Sequence, residues 1–497
     1  MSYSLPSVRP AKTGLEMACT FRKSHEKTTF NSKTLKDSGI PLDVDGKDVY
    51  ISDPEKHCMI CGASGKGKTR RVLYPLVTMS ARAGRSMVIA DMKGEIYRNT
   101  AKEVEACGVD IKVINLRNPA IGDRFSPLSL IQQYWDLDEK SRAMTLLKGV
   151  ADILVACIAS EKDKYWENAA SDTFMGFALL LLENNFPLTF DSIQCVGNQC
   201  LANEARRNDL REMLGKNSEA RRKLEPVLSL EDENRTLSCV ASEFNTMLSP
   251  YVSQEEVRDL LSSSDVSLAD IGKKPTAVYL LCPDESTSLY GVASLFVEQC
   301  YSELISYADS REDNILPVKV DFILDEFGSF VGSSWAQKLT AARSRGIRFI
   351  LALQALSQLS FRYGHDASRT IASNCRTFMF MGGRDITTLS EISVLCGDKP
   401  DISGLDKPVL SIAKLSQLKK DEVVVLDDLS KPYIGRLIDW SAWGIEEKAK
   451  LSENVRHFKT MEPVDFEDIR IKFLLLSPEP DLRPHLEIPR RNPKEDK

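Results

Sequence analysis

The stretch His57-Cys-Met-Ile-Cys-Gly-Ala-Ser-Gly-Lys-Gly-Lys-Thr69 decides how the rest of the chain is read. Four residues of apolar character, Cys58 to Cys61, run into Gly62-Ala-Ser-Gly-Lys-Gly-Lys-Thr69. That octet satisfies G-x-x-x-x-G-K-[ST] at every position. Gly62, Gly65 and Gly67, with Ser64 between them, let backbone N–H groups curl around phosphate oxygens. Residues 69–83 carry a helical pattern, so a helix follows and aims its positive end at the same phosphates. In this arrangement Lys68 reaches the β and γ phosphates of ATP, and the Thr69 hydroxyl is offered to Mg²⁺.

Outward from this loop, short buried runs alternate with helical segments. Strands are expected at residues 86–90, ending in Asp91, and at 110–116, 277–281, 320–324, 349–353 and 377–381. Strands alternating with helices imply βαβ units, hence an α/β fold with a mainly parallel central sheet. Between residues 136 and 272 the texture differs. Met144, Leu147, Val150, Ile153 and Leu154 recur at helical spacing and strand signals are sparse, which predicts an all-helical insertion. The expected organisation is a polar N-terminal arm at 1–45 and a first part of the nucleotide-binding domain at 46–135. The insertion at 136–272, a second part of that domain at 273–445 and a polar, Pro-rich tail at 446–497 complete it.

A second motif, Val320-Asp-Phe-Ile-Leu-Asp-Glu326, is a buried strand ending in two carboxylates. Beside a phosphate-binding loop, Asp325 is expected to hold Mg²⁺, and Glu326 to polarise the water that attacks the γ-phosphate. The strand at 349–353 ends in Gln354, an amide that either contacts the γ-phosphate or attacking water or simply caps a solvated strand end. Just before it stands Arg343-Ser-Arg-Gly-Ile-Arg348, from which one arginine, Arg345 first among them, is expected to reach a neighbouring subunit's phosphate. Asp91-Met-Lys-Gly-Glu95 places charge at the same sheet edge, with the roles of Lys93 and Glu95 open.

The chain has 497 residues, 65 Lys and Arg against 71 Asp and Glu, and a formal charge of -6. That balance excludes a uniformly basic coat and confines any nucleic-acid contact to a local lining. Arg206, Arg207, Arg211, Arg221 and Arg222 in the insertion are such a candidate surface, though a solvated helix face carries the same pattern. The longest apolar run, residues 174–182, is half of the roughly 18 residues a membrane span needs, and reads as a buried helix. Twelve cysteines without framework spacing or a signal core read as reduced thiols in a cytosol. Cys58 and Cys61 form C-x-x-C, but on a strand positions three apart face opposite sides, which argues against a zinc or redox pair.

Together these segments resemble the type IV coupling proteins, the TraG/TraD-type DNA-transfer ATPases of conjugation. The resemblance runs through His57 and its glycine loop, Pro75, Asp91-Met-Lys-Gly-Glu-Ile-Tyr97, Phe125-Ser-Pro-Leu128 and Lys164-Tyr-Trp166 with Ala169. It continues in Leu324-Asp-Glu-Phe-Gly328, Ala342-Arg-Ser-Arg-Gly-Ile347, Gln354 with Gln358, and Ser373-Asn-Cys375. It implies a RecA-like P-loop motor, hexameric when active, with its helical insertion between the nucleotide motifs. The expected partners are single-stranded DNA, a relaxase and type IV secretion channel components. Family members usually carry an N-terminal pair of membrane helices. None is legible here, so attachment to the inner face of the membrane is expected through a separate anchor subunit, borrowed by residues 1–45. Two rivals share the motifs: a cytosolic DNA-dependent ATPase of defence or plasmid maintenance, and a cargo adaptor that uses nucleotide only to assemble.

Overall fold

The computed structural model describes residues 21–29, 38–158, 164–231, 235–283, 289–332, 334–400, 405–445, 448–451, 454–458 and 462–476. The chain divides into two compact units, Met1–Phe125 with Ser263–His457, and Ser126–Ser262 with Phe458–Lys497.

The first unit is built on a nine-stranded sheet. In chain order the strands among the described residues are β1 (Glu26–Thr29), β2 (Pro41–Asp45), β3 (Asp48–Ile51), β4 (Cys58–Cys61), β5 (Ser86–Asp91), β6 (Asp110–Asn115), β7 (Thr276–Leu281), β8 (Val320–Leu324), β9 (Ile347–Leu353), β10 (Thr377–Phe380), β11 (Asp398–Pro400), β12 (Asp406–Pro408), β13 (Glu422–Asp427) and β14 (Ser430–Arg436), of which β4–β10, β13 and β14 form this sheet and β11 and β12 a separate pair. The spatial order in the nine-stranded sheet is β14-β13-β10-β4-β9-β8-β5-β7-β6. The seven strands from β10 to β6 are parallel, and the β13–β14 hairpin adds an antiparallel edge. Strands β4, β5, β7, β8 and β9 are buried at every position, as expected of parallel strands covered on both faces. Residues Cys61, Leu353 and Phe380 stand side by side, as do Ala90 and Leu324, so the strands finish along one edge.

At the opposite edge lies a buried ionic lock. Asp321, second residue of β8, has no exposed surface. It accepts from Arg85 at 2.7 and 3.0 Å, from Arg348 at 2.5 and 3.0 Å, and from the Ser80 hydroxyl at 2.8 Å. Burial alone pushes this carboxyl up, but the two guanidiniums overcome it and hold the group at about 2. Arg85 precedes β5 and Arg348 lies in β9, so one carboxylate ties the starts of three adjacent strands.

Two expectations are corrected here. Residues 1–45 are not merely a polar arm, because β1 (Glu26–Thr29) and β2 (Pro41–Asp45) flank β3 (Asp48–Ile51) in a small antiparallel sheet. Phe21 is buried, stacked on His25 at 4.1 Å and on Tyr433 at 4.3 Å. An anchor more than 400 positions away leaves no local signal. Residues 1–20 and 30–37, which hold most of the proposed membrane-borrowing arm, lie outside the described residues. The tail likewise contains a helix, Phe466–Leu476, with Phe466 and Ile469 buried.

The second unit is helical throughout its described residues. It begins earlier than the expected boundary at 136, with the helix Ser129–Asp136. It also ends earlier than 272. The 3₁₀ turn Ala269–Gly272 belongs to the first unit, where a Cβ at Gly272 would press on Leu304 and Leu316 at 2.9 Å. Residues 174–182 are buried within the helix Lys164–Glu183. Among the described residues no helix is long and apolar enough to cross a membrane.

The lock generates a test. Arg348→Met keeps the volume but leaves Asp321 half-compensated in a dry site, which costs about 3–5 kcal/mol. Urea unfolding of the variant should show that loss, and a cost below about 1 kcal/mol would refute the lock.

Candidate active site

The site forms where the parallel strands finish. After β4 the chain is held by the Gly62 N–H donating to the Leu353 carbonyl at 3.0 Å and the Ala63 N–H to that of Gly382 at 2.9 Å. Gly65 and Gly67 have φ of 77° and 96°, left-handed backbone that only glycine adopts without strain. Lys68 then folds back, its ammonium donating to the Gly62 carbonyl at 2.7 Å. Thr69 opens a wide π turn, Thr69–Leu73, that continues as the helix Tyr74–Arg82 with Pro75 in its first turn.

His57 fixes the start of this arrangement. Its Nδ1 accepts the Phe349 N–H at 2.9 Å, so Nε2 carries the proton and donates to the Leu339 carbonyl at 2.8 Å. Burial lowers its pKa to about 4. The residue that leads into the loop motif is therefore a neutral clip between β4 and β9.

A cavity of about 290 Å³ opens between the loop and the neighbouring strand ends. Ser64, Gly65, Gly67, Lys68 and Thr69 line it from the loop; Asp325 and Glu326 from the end of β8; Asp91, Lys93 and Glu95 from the end of β5. Asp325 is pushed up to about 7 by burial and by the charge of Glu326, against the pull of Lys68. Glu326 sits in left-handed backbone, φ 51° and ψ 47°, with its N–H on Asp325 Oδ1 at 3.1 Å. Gln354 reaches the cavity only through Glu326, donating its side-chain amide to Oε1 and Oε2 at 3.1 Å each.

The profile of the type IV secretory system conjugative DNA transfer family matches residues 16–400. The chain belongs to that family. No curated protein matches it in sequence. Among solved structures, plasmid coupling protein TrwB with the ATP analogue ADPNP superposes with a TM-score of 0.61 at 17% identity, covering 87% of this chain and 93% of that one. TrwB with ADP and Mg²⁺ gives 0.60 at 18%, covering 87% and 92%. The unbound bacterial conjugative coupling protein TrwBΔN70 gives 0.58 at 18%, covering 85% and 91%. The fold is that of a RecA-like P-loop NTPase.

In this member of the family the turn after β5 serves two purposes. The Asp91 carboxylate accepts the Tyr97 N–H at 2.8 Å and so caps the helix Glu95–Ala106. Gly94, at φ 67°, makes the tight entry. Lys93 and Glu95 are thereby delivered to the cavity, while Asp91 itself is largely structural.

The three candidate arginines lie at the far end of β9, about 20 Å along the strand from Leu353. None completes the site of its own chain. Arg348 is buried on Asp321 and is withdrawn as a trans candidate. Arg345 donates to Asp309 at 2.8 Å, and Arg343 is exposed. The arginines of the insertion are compensated by their own unit. Arg207 is fully buried and donates to the carbonyls of Cys200, Leu201 and Leu230. Arg211 and Arg221 share Glu225, Arg222 pairs with Glu219, and Arg206 lies over the Phe466 ring. Cys58 and Cys61 are buried thiols, that of Cys61 pushed up by burial to about 12.

Sequence reasoning missed Arg70, Lys420 and Asp439, which complete the lining. Arg70 grips Asp439 at 2.5 and 3.1 Å and holds its carboxyl far below the usual range. Arg70 follows the loop motif directly, but nothing local marks its distant partner.

His57 supplies a pH test. The folded chain resists a proton that the unfolded chain takes up, so stability falls as pH drops from 6.5 towards about 4, by about 3 kcal/mol for a shift of this size. His57→Gln removes that titration. Its stability relative to the native chain should improve steadily between pH 7 and pH 4.5 in chemical denaturation, and a constant difference would contradict the assignment.

Proposed function

We propose that this chain hydrolyses ATP with Mg²⁺ and uses the cycle to drive conjugative transfer of DNA. The carrying observation is the single cavity that gathers the glycine loop, Lys68 and the Asp325–Glu326 pair at adjoining strand ends. The family match and the nucleotide-bound TrwB structures support the reading.

The residues fit the ligands. Lys68 spends its charge on a neutral carbonyl, and Asp325, half-buried and crowded by Glu326, calls for a cation. The Gly62 N–H is already given to Leu353, so the backbone N–H groups at Ser64, Gly65 and Gly67 take phosphate oxygens, and Lys68 swings from the Gly62 carbonyl to the β and γ phosphates. Thr69 and Asp325 are the Mg²⁺ residues; the ion, when bound, neutralises charge on the phosphates. Glu326 orients the attacking water and accepts its proton as the water oxygen bonds to the γ-phosphorus and the bond to ADP breaks. Either Arg345, after leaving Asp309, or Arg343 acts on the nucleotide of an adjacent subunit in a homo-hexamer. Single-stranded DNA, delivered with its relaxase, is the cargo passed to the secretion channel, from the cytoplasmic side and through a separate membrane-anchor subunit.

Lys68→Ala should abolish most nucleotide affinity. Glu326→Gln should bind ATP normally and slow turnover by roughly 10²-fold or more. Equal turnover in Glu326→Gln and the native chain would remove Glu326 from the mechanism. Turnover unaffected by single-stranded DNA would favour the adaptor reading.

The trans arginine is tested by mixing. Lys68→Ala subunits keep their arginines, and Arg343→Ala or Arg345→Ala subunits keep a complete nucleotide site. Mixing the former with one of the latter should restore part of the lost turnover. Absence of rescue for both arginines would place the whole site within one chain.

A further inference from the structure

We propose that Gln354 is a latch that holds Glu326 out of action and sets a low resting rate of hydrolysis. The proposal rests on the ATPase reading above, in which Glu326 works on the attacking water. The geometry is direct. The Gln354 amide nitrogen stands 3.1 Å from each Glu326 oxygen, so one donor group faces the whole carboxylate edge. Those are the lone pairs that must face water for proton abstraction. An amide at the end of β9 that only capped a strand end would have no reason to take both oxygens of a residue on β8's exit turn.

The hold is built into the elements around it. The Gln354 N–H donates to Gln358 Oε1 at 3.0 Å, which fixes the side chain's root to the helix Ser357–Tyr363. Gln358 in turn lies against Gly328, where an added Cβ would stand 3.2 Å from the Gln358 Cβ. At the other end of that helix the Tyr363 hydroxyl lies within reach of the Phe327 and Phe330 carbonyls, at 3.3 and 2.9 Å, and its ring stacks on Phe327 at 5.4 Å. The turn that carries Glu326 and the helix that carries Gln358 thus grip each other on both sides of the latch. Glu326 is also held in left-handed backbone, a strained conformation for a residue with a long side chain. Displacing the helix withdraws Gln354 through Gln358, and Glu326 is then free to turn.

The latch makes the opposite prediction from a catalytic amide. Gln354→Met fills the same space without a donor. Its resting ATP turnover should rise about five-fold, the population change expected for losing one modest hydrogen bond. The rise must act through Glu326, so Gln354→Met combined with Glu326→Gln should be as slow as Glu326→Gln alone. Gln358→Ala, which frees the backbone of Gln354, should move turnover in the same direction by less. A merely structural role would give no gain. Turnover that falls in Gln354→Met, or stays unchanged while the native chain hydrolyses ATP, overturns the latch and leaves the ATPase reading standing. A native chain that shows no turnover, with or without single-stranded DNA, overturns that reading, and the latch falls with it.

Discussion

The fold turns on the carboxylate of Asp321. Parallel strands buried on both faces are poor at choosing their own register, because apolar side chains on either face tolerate a slip. Here β5, β8 and β9 are fully apolar over most of their lengths, and a slip of one position would turn every side chain to the other face. Asp321 makes that costly. Its two guanidinium partners enter from the strands on either side, and a displaced register would leave a buried charge unpaired. His57 does a milder version of the same job between β4 and β9. The starts of the strands are therefore fixed by polar contacts, and where each strand finishes follows from its length.

That is how the lock positions the chemistry. Asp325 and Glu326 come four and five residues after Asp321, at the exit of β8. Asp91 ends the neighbouring strand one position beyond the Ala90–Leu324 pair, and Gln354 follows β9. No contact within the cavity has to choose these positions, because the far edge has already chosen them. The arrangement also explains why Arg348 belongs to stability rather than to a partner's nucleotide, although it stands five residues from the exposed Arg343.

Much of this was legible in the sequence because it is local. The glycine loop, the apolar strand ending in Asp325 and Glu326, and the alternation of strands with helices each announce themselves within a dozen residues. What was not legible depends on distant pairs. Arg348 reads as a surface arginine until Asp321 is seen beside it, and Arg70 shows nothing of Asp439. The amide of Gln354 looks free until Glu326 is found against it. The five arginines of the insertion read as a basic face because sequence shows the cations more plainly than the carbonyls and glutamates that absorb them. Phe21 and the helix Phe466–Leu476 were lost for a related reason. Phe21 sits in a polar stretch, whereas the helix is itself largely apolar but lies between polar, Pro-containing segments, and packing against remote elements orders each.

The site itself carries a conflict that the rest of the molecule sustains. Asp91, Glu95, Asp325, Glu326 and Asp439 bring five carboxylates to one cavity, of which Asp439 is paired with Arg70, and Lys68 is turned to a carbonyl. Burial raises Asp91 to about 6 and, together with Glu326, raises Asp325 to about 7. A domain selected for stability alone would have no use for such crowding, since each buried like charge disfavours its neighbour. The helix cap taken up by Asp91 and the amide on Glu326 relieve part of it locally. Among the described residues Asp325 has no such partner beyond the N–H of its own neighbour, which makes it a carboxylate whose surroundings favour an arriving cation. The conflict thus converges on one carboxylate at the mouth of the glycine loop, and the ionic lock at the other end of the sheet supplies the rigidity that keeps it from relaxing away.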